Sequence, residues 1–277
     1  MTPSPAYGPV MADVYLHGHH ASVLASHGAR TAADSAAYLL PHLRDGLRLL
    51  DVGCGPGTIT LDLAEAVGPS GEVVGVENVE GPLVEARRTA TARGDLRTRF
   101  ALADVMALPY AAGSFDVVHA HQVLQHVPDP VGALREMARV TRPGGLVAVR
   151  DVDYASMVWH PASEGMTRWL ELYRRLARLN HAEPDAGRHL VAWAHAAGLP
   201  WLTPSASLWT YATPQQCAWW GAVWARRALE STFATQAVER GAATAEELAG
   251  ISAAWQAWST HPDAWFAMTH AELLVHV

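Results

Sequence analysis

The sequence predicts an α/β protein built on a doubly wound, mostly parallel sheet. Three observations carry this. Leu49-Leu50-Asp51-Val52-Gly53-Cys54-Gly55-Pro56-Gly57 is an apolar run, an acid and three alternate glycines, and a helical stretch opens at Thr58. That is the strand–turn–helix corner at which open α/β sheets bind nucleotides. Strand-like and helix-like segments then alternate from 46 to 151, the pattern of parallel crossovers. Acids recur at the ends of successive strands. Ligands of such sheets bind outside the carboxyl ends of the strands, so these acids mark a cleft.

Residues 1–45 read as a helical N-terminal cap, with a helix over Thr31–Leu40 before Pro41. Residues 46–151 form the nucleotide-binding core. After the glycine turn, Val73–Glu77 is a second strand ending in a carboxylate, and Glu77 lies 24 residues past Gly53. That is near the ~20-residue offset at which an acid meets ribose hydroxyls. Phe100–Asp104 is the third strand and Ser114–His121 the fourth. Asp129-Pro130 starts a helix running to Val140, since an aspartate cap and a first-turn proline suit a helix N-terminus. Arg142-Pro143-Gly144-Gly145 breaks the chain before a fifth strand, Leu146–Asp151.

The glycine spacing narrows the ligand. A dinucleotide fingerprint needs G-x-G-x-x-G/A, and Thr58 takes its last place. A phosphate-binding P-loop needs a lysine that is missing. Asp51 has no role in either pattern but suits a ligand with an ammonium group.

Leu50–Gly57, Val74–Glu77, Ala103-Asp104-Val105 with Leu108-Pro109-Tyr110, Ser114–Val118 with Leu124–Val127, and Arg142–Gly145 together resemble the class I S-adenosylmethionine-dependent methyltransferases of the type 11, UbiE-like kind. The resemblance lies between residues 47 and 151. It implies a seven-stranded sheet and S-adenosylmethionine as cofactor, with S-adenosylhomocysteine as product. Asp51, Gly53, Cys54 and Gly55 would surround the methionine part, with Glu77 and Asn78 at the ribose. Asp104 and Val105 would meet the adenine. His121 and Gln122 would lie near the cofactor, although small hydroxyl or apolar residues are common there. Arg30 is a candidate for the cofactor carboxylate, or a solvated helix-end charge.

Residues 152–277 differ in composition. All 11 tryptophans fall between Trp159 and Trp265. Met166, Trp169, Leu170, Tyr173, Leu176 and Ala177 recur at helical spacing. A helix over Asp185–Ala197 ends at Gly198, and Thr213–Gln216 and Thr244–Glu247 are capping boxes. Trp201–Tyr211 and Trp265–Val277 read as strands. In the family these are the last two sheet strands, paired antiparallel, so 214–260 becomes a helical lid insertion over the cleft. Most of its tryptophans are expected to pack helices, and two or more to line an acceptor pocket. Tyr154, Trp159 and His160 follow the fifth strand, where the family places acceptor contacts.

The 15 histidines add candidates. His126 matches a family histidine, a general base of near-neutral pKa or a structural hydrogen-bonder. His119 reads as structural. Tyr15 is a second catalytic candidate and, with His20, a candidate acceptor contact. His17-Gly18-His19-His20 looks metal-like, but no cluster completes a tetrahedral site, and no metal is expected.

Bulk properties fit a soluble enzyme. A net charge of −7 gives no footprint for nucleic acid. Two cysteines, Cys54 and Cys217, suit a reducing cytoplasm rather than a disulfide framework. No 18-residue apolar run suggests a membrane span, and the N-terminus lacks the order of a signal peptide. The expected activity is methyl transfer to a small, partly apolar acceptor: a natural product, a quinone-like ring or a prenylated molecule. Carbon is favoured slightly over oxygen or nitrogen. A nicotinamide-dependent oxidoreductase and a catalytically inactive cofactor-binding partner subunit are the alternatives. A homo-oligomer stays open.

Overall fold

Local chemistry sets the element boundaries. The computed structural model describes residues 28–277. Helix α1 (Ala32–Ser35) is capped by Thr31 and Asp34 reciprocally and followed by a 3-10 turn at Leu40–His42. This is shorter than the helix expected over Thr31–Leu40. Ser35 Oγ donates to Asp34 Oδ1 at 2.5 Å, a local bond that competes with helix propagation, and Pro41 cannot donate.

Strand and helix then alternate: β1 (Arg48–Val52), α2 (Thr58–Ala66), β2 (Glu72–Glu77), α3 (Glu80–Arg93), β3 (Arg99–Leu102), β4 (Phe115–His121) and α4 (Pro130–Val140). Asp129 caps α4 by accepting from the Gly132 N–H. β5 (Thr141–His160) is far longer than expected. The Arg142–Gly145 segment is a bulge within it, because Phe115 pairs with Thr141 and Val117 next pairs with Leu146. After α5 (Glu164–Leu179), a 3-10 turn at Ala186–His189 leads into α6 (Leu190–Ala196), so the helix expected over Asp185–Ala197 is split. β6 (Leu202–Tyr211) precedes α7 (Pro214–Glu230), α8 (Thr232–Glu239) and α9 (Ala245–Ser259), and β7 (Trp265–His276) closes the order. Both expected capping boxes, Thr213–Gln216 on α7 and Thr244–Glu247 on α9, are formed.

The seven strands form one sheet in the order β3-β2-β1-β4-β5-β7-β6. β1 to β5 pair in parallel, and β7 runs antiparallel to both β5 and β6. Strand side chains alternate between faces. Leu50, Val76 and Val118 therefore pack with α4 and α6 on one face, through Leu134, Met137 and Leu190. Leu49, Val73 and Val117 pack with Leu39, Leu63 and Ala64 on the other. A third core holds α5 and α7–α9 against β5 and β7: Trp169, Tyr173, Trp220, Trp224, Trp255 and Phe266 interlock there. The order reverses between β1 and β4, which places a ligand crevice at their carboxyl ends.

Candidate active site

Between β1 and α2 the chain turns through Gly53, Gly55 and Gly57, at φ of 68°, 53° and 78°. Only glycine adopts these angles without strain. A Cβ at Gly53 would also collide with the Val123 side chain, whereas one at Gly55 would meet no atom within 4 Å. The Gly53 and Cys54 amides both donate to the Val76 carbonyl, at 2.8 and 3.0 Å. That ties the loop to β2.

A cavity of about 450 Å³ opens above this loop. Arg30, Asp51, Gly53, Cys54, Gly55, Glu77, Asn78, Asp104, Val105, His121 and Gln122 all lie on its wall. Thr58 and Ile59 of the first turn of α2 line it as well, and helix N-termini favour anions. Val127 of the Leu124–Val127 motif lines it too, and Pro82, Val123 and Thr232 add wall that the sequence did not single out.

The acids differ in their engagement. Glu77 Oε1 accepts from the Gly55 N–H at 2.8 Å and Oε2 from the Asn78 N–H at 3.2 Å. Burial raises its pKa above the usual value, against those two amides. Asp51 is buried and already held: Thr60 donates to Oδ2 at 2.5 Å and His119 Nδ1 lies 2.7 Å from Oδ1. Asp104 Oδ1 accepts from the Met106 N–H at 2.8 Å. Burial also pushes the Cys54 thiol well up, so it stays protonated on the wall.

Behind Gln122 lies a buried polar network. Arg30 Nη2 donates to Gln122 Oε1 at 2.8 Å, and Gln122 Nε2 lies 2.8 Å from His270 Nε2. Gln122 holds a left-handed φ of 56°, a backbone strain at the point where these groups converge. Arg150 pairs with Glu272 at 3.3 Å, and Ser205 and Ser207 donate to the same carboxylate at 2.7 and 2.5 Å. Burial lowers the Arg150 pKa to about 10. Burial and the neighbouring Arg150 and Arg30 hold His121 and His270 well below the ordinary imidazole range, so both rings are neutral.

A second cavity, of about 430 Å³, shares Arg30 and Gln122 with the first. Its walls are Tyr154, Met157, Trp209, Tyr211, Trp219, Trp220, Trp224, Arg227 and Met268, with Asp34 and Gln216. Of the expected acceptor contacts, Tyr154 lies here, stacked on Tyr173 at 4.2 Å. Trp159 and His160 line neither cavity. Trp159 stacks on Phe266, and the His160 carbonyl accepts from Trp258 Nε1 at 2.9 Å. Tyr15, His20 and the His17–His20 run lie outside the described residues. His126 lines the first cavity only, and burial with Arg30 pushes its pKa down to about 3. That replaces the near-neutral value expected for it, because burial first and the Arg30 charge second both disfavour the protonated ring. Among the described residues no three His, Cys, Asp or Glu side chains are placed to hold a metal ion, and no helix is long and apolar enough to cross a membrane.

The tryptophans of β6 and α7 carried one sequence signal, their crowding into the C-terminal half, and Arg227 carried none. Nothing in the spacing said which of them would face a cavity.

Known proteins share this architecture. Residues 43–209 match the family model described as a methyltransferase domain. An uncharacterized methyltransferase of Schizosaccharomyces pombe is 32% identical over 269 residues, spanning 94% of this chain and 95% of that protein. The demethylmenaquinone methyltransferase of Lactococcus lactis is 38% identical over 112 residues, 40% of this chain and 44% of that one. The crystal structure of the YcgJ protein from Bacillus subtilis superposes with a TM-score of 0.55 at 19% identity, covering 86% of this chain and 96% of that chain.

Proposed function

The chain belongs to the methyltransferase-domain family, and from that premise we propose that it transfers the methyl group of S-adenosylmethionine to a small, flat, partly apolar acceptor. One observation carries the reading. A glycine-loop cavity and a tryptophan-walled cavity meet at Arg30 and Gln122. The first suits the cofactor: Gly55 leaves open space where any other residue would put a Cβ, and Glu77 brings a carboxylate to the cavity wall.

When bound, the cofactor supplies a sulfonium methyl, an electrophile that needs no activation. The protein's task is position. Glu77 takes the ribose hydroxyls, Asp104 and Val105 frame the adenine, and Asp51 with the loop amides faces the methionine part. Arg30 meets its carboxylate beside the first turn of α2. The tryptophan cavity holds the acceptor and excludes water, and such positioning is worth up to about 7–11 kcal/mol of barrier. The likeness to a demethylmenaquinone methyltransferase favours a quinone-like ring, and carbon over oxygen or nitrogen.

Calorimetry on the purified protein tests the cofactor. S-adenosylhomocysteine should bind and NAD should not. Mass spectrometry should then show a gain of one methyl on a hydroquinone offered with S-adenosylmethionine. Tight NAD binding, with no response to either sulfur cofactor, would overturn the proposal.

A further inference from the structure

We propose that the Gln122 carboxamide holds the acceptor by a neutral oxygen, a ring hydroxyl or carbonyl, where the two cavities meet, and that His270 positions this amide from behind. This rests on reading the tryptophan cavity as the acceptor site.

Gln122 is fixed from three sides. Its backbone N–H donates to the Arg150 carbonyl at 2.7 Å, beside the left-handed φ of 56°. A strained backbone persists only where its surroundings over-determine it. The side chain spans Arg30, whose Nη2 lies 2.8 Å from Oε1, and His270, whose Nε2 lies 2.8 Å from the amide nitrogen. A guanidinium only donates, so the amide oxygen faces Arg30 and the NH2 faces His270. That bond uses one of five guanidinium N–H groups and is compatible with a cofactor carboxylate on the others.

His270 must then accept. It is buried, and burial with the Arg150 and Arg30 charges keeps its ring neutral. A neutral imidazole has one bare nitrogen, and the amide selects Nε2, which puts the ring proton on Nδ1. The ring lies 4.3 Å from the Trp209 ring and 6.1 Å from that of His121. It lines neither cavity. His270 therefore reaches the site through Gln122, as a positioning residue.

A carboxamide has two N–H donors and two acceptor lone pairs. His270 takes one donor and Arg30 one lone pair. The remaining N–H and lone pair have no partner among the described residues, and half-buried Gln122 borders both cavities. One donor beside one acceptor, both uncharged, matches a neutral oxygen: a hydroxyl uses both, a carbonyl the donor alone. Aromatic walls hold a ring without fixing which of its atoms faces the methyl group. An oxygen held by Gln122 fixes that direction, and orientation is what the transfer requires of the protein.

The test is equilibrium dialysis of the full chain with S-adenosylhomocysteine bound. It compares 2-naphthol, a flat phenol un-ionised at neutral pH, with 2-methylnaphthalene, which has the same shape without the oxygen. The readout is the ratio of the two affinities, because general damage to the cavity weakens both rings. A neutral hydrogen bond contributes about two- to tenfold. The ratio should fall by that factor in Gln122→Met. It should fall likewise in His270→Phe, which keeps a ring beside Trp209 but cannot accept. In His270→Gln, whose carbonyl replaces Nε2, the ratio should be restored. Both His270 variants should keep S-adenosylhomocysteine affinity, and thermal unfolding reports that every variant is folded. If Gln122→Met does not fold, Gln122→Asn replaces it, since asparagine tolerates the left-handed backbone and withdraws the amide by one carbon. If no variant folds, side-chain amide NMR of the unaltered chain decides: one glutamine NH2 should shift further with 2-naphthol than with 2-methylnaphthalene, and equal shifts overturn the contact. A ratio unmoved in a folded Gln122 variant overturns the contact and leaves the acceptor site standing. A ratio that falls in Gln122→Met but not in His270→Phe overturns the role of His270. Binding of neither ring, with S-adenosylhomocysteine still bound, overturns the acceptor site and this contact with it.

Discussion

Replacing Glu77 by Gln tests the cofactor site with least disturbance. The change keeps size and one acceptor oxygen, so the Gly55 N–H, now 2.8 Å from Oε1, keeps its partner. The side-chain charge is lost, and the oxygen that accepts from the Asn78 N–H at 3.2 Å becomes a donor. A hydrogen bond to a charged group is worth about 1.5–3 kcal/mol. At about 1.4 kcal/mol per factor of ten, losing one such bond to a ribose hydroxyl weakens S-adenosylhomocysteine about ten- to a hundredfold. Stability should move the other way or not at all. Burial raises the Glu77 pKa, so its contribution to stability is full at low pH and is lost as pH rises through that raised value. The uncharged amide does not suffer this loss. In the native protein, cofactor affinity should fall on acidification, beginning above the ordinary carboxylate value, because the hydroxyls need the ionised form. In Glu77→Gln this pH dependence should flatten. Calorimetry from pH 5 to 8 beside thermal unfolding reads all of this. A folded Glu77→Gln variant with unchanged affinity would refute the placement of the ribose on β2.

Two further outcomes follow from the packing. Glu272→Gln leaves the fully buried Arg150 without its counter-charge, which should cost about 3–5 kcal/mol in urea unfolding, and a loss under 1 kcal/mol would show that the pair is not what holds the network. Because Thr232 borders the first cavity and Trp219, Trp220 and Arg227 the second, hydrogen exchange across 214–260 should slow when S-adenosylhomocysteine and a planar ligand bind together. Protection that follows protein concentration and ignores both ligands would instead place this segment in a subunit interface.

Much of the fold is written locally. Capping boxes, the alternate glycines and the short apolar runs act within a few residues, so the elements of 46–151 and both late strands can be read in order. Glu77 and Asp104 are legible for the same reason, since a carboxylate at the end of a parallel strand has one place to go. Where the boundaries move, nonlocal pairing decides. β5 passes through Pro143 and Gly144 because β4 supplies partners on both sides of the bulge, at Thr141 and Leu146, and β7 joins from Leu146 onward.

The tryptophan-walled cavity is a tertiary result. Between Asp153↔Thr269 and Val158↔Ala267, β5 advances five residues while β7 advances two, so the alternation of faces is reset inside the strand. Tyr154, inside the shifted stretch, borders the cavity, while Trp159 and His160, beyond it, pack against Phe266 and Trp258. The Gln122–His270 contact spans 148 residues, and Arg30, Trp209 and Arg227 reach one space from three distant segments. No periodicity encodes such a meeting. The sequence by itself determined the strand–glycine-loop–helix corner, because strand, turn and helix propensity act over neighbours. Which cations and rings face the second cavity was decided by strand order, bulges and helix packing, which exist only once the chain has closed on itself.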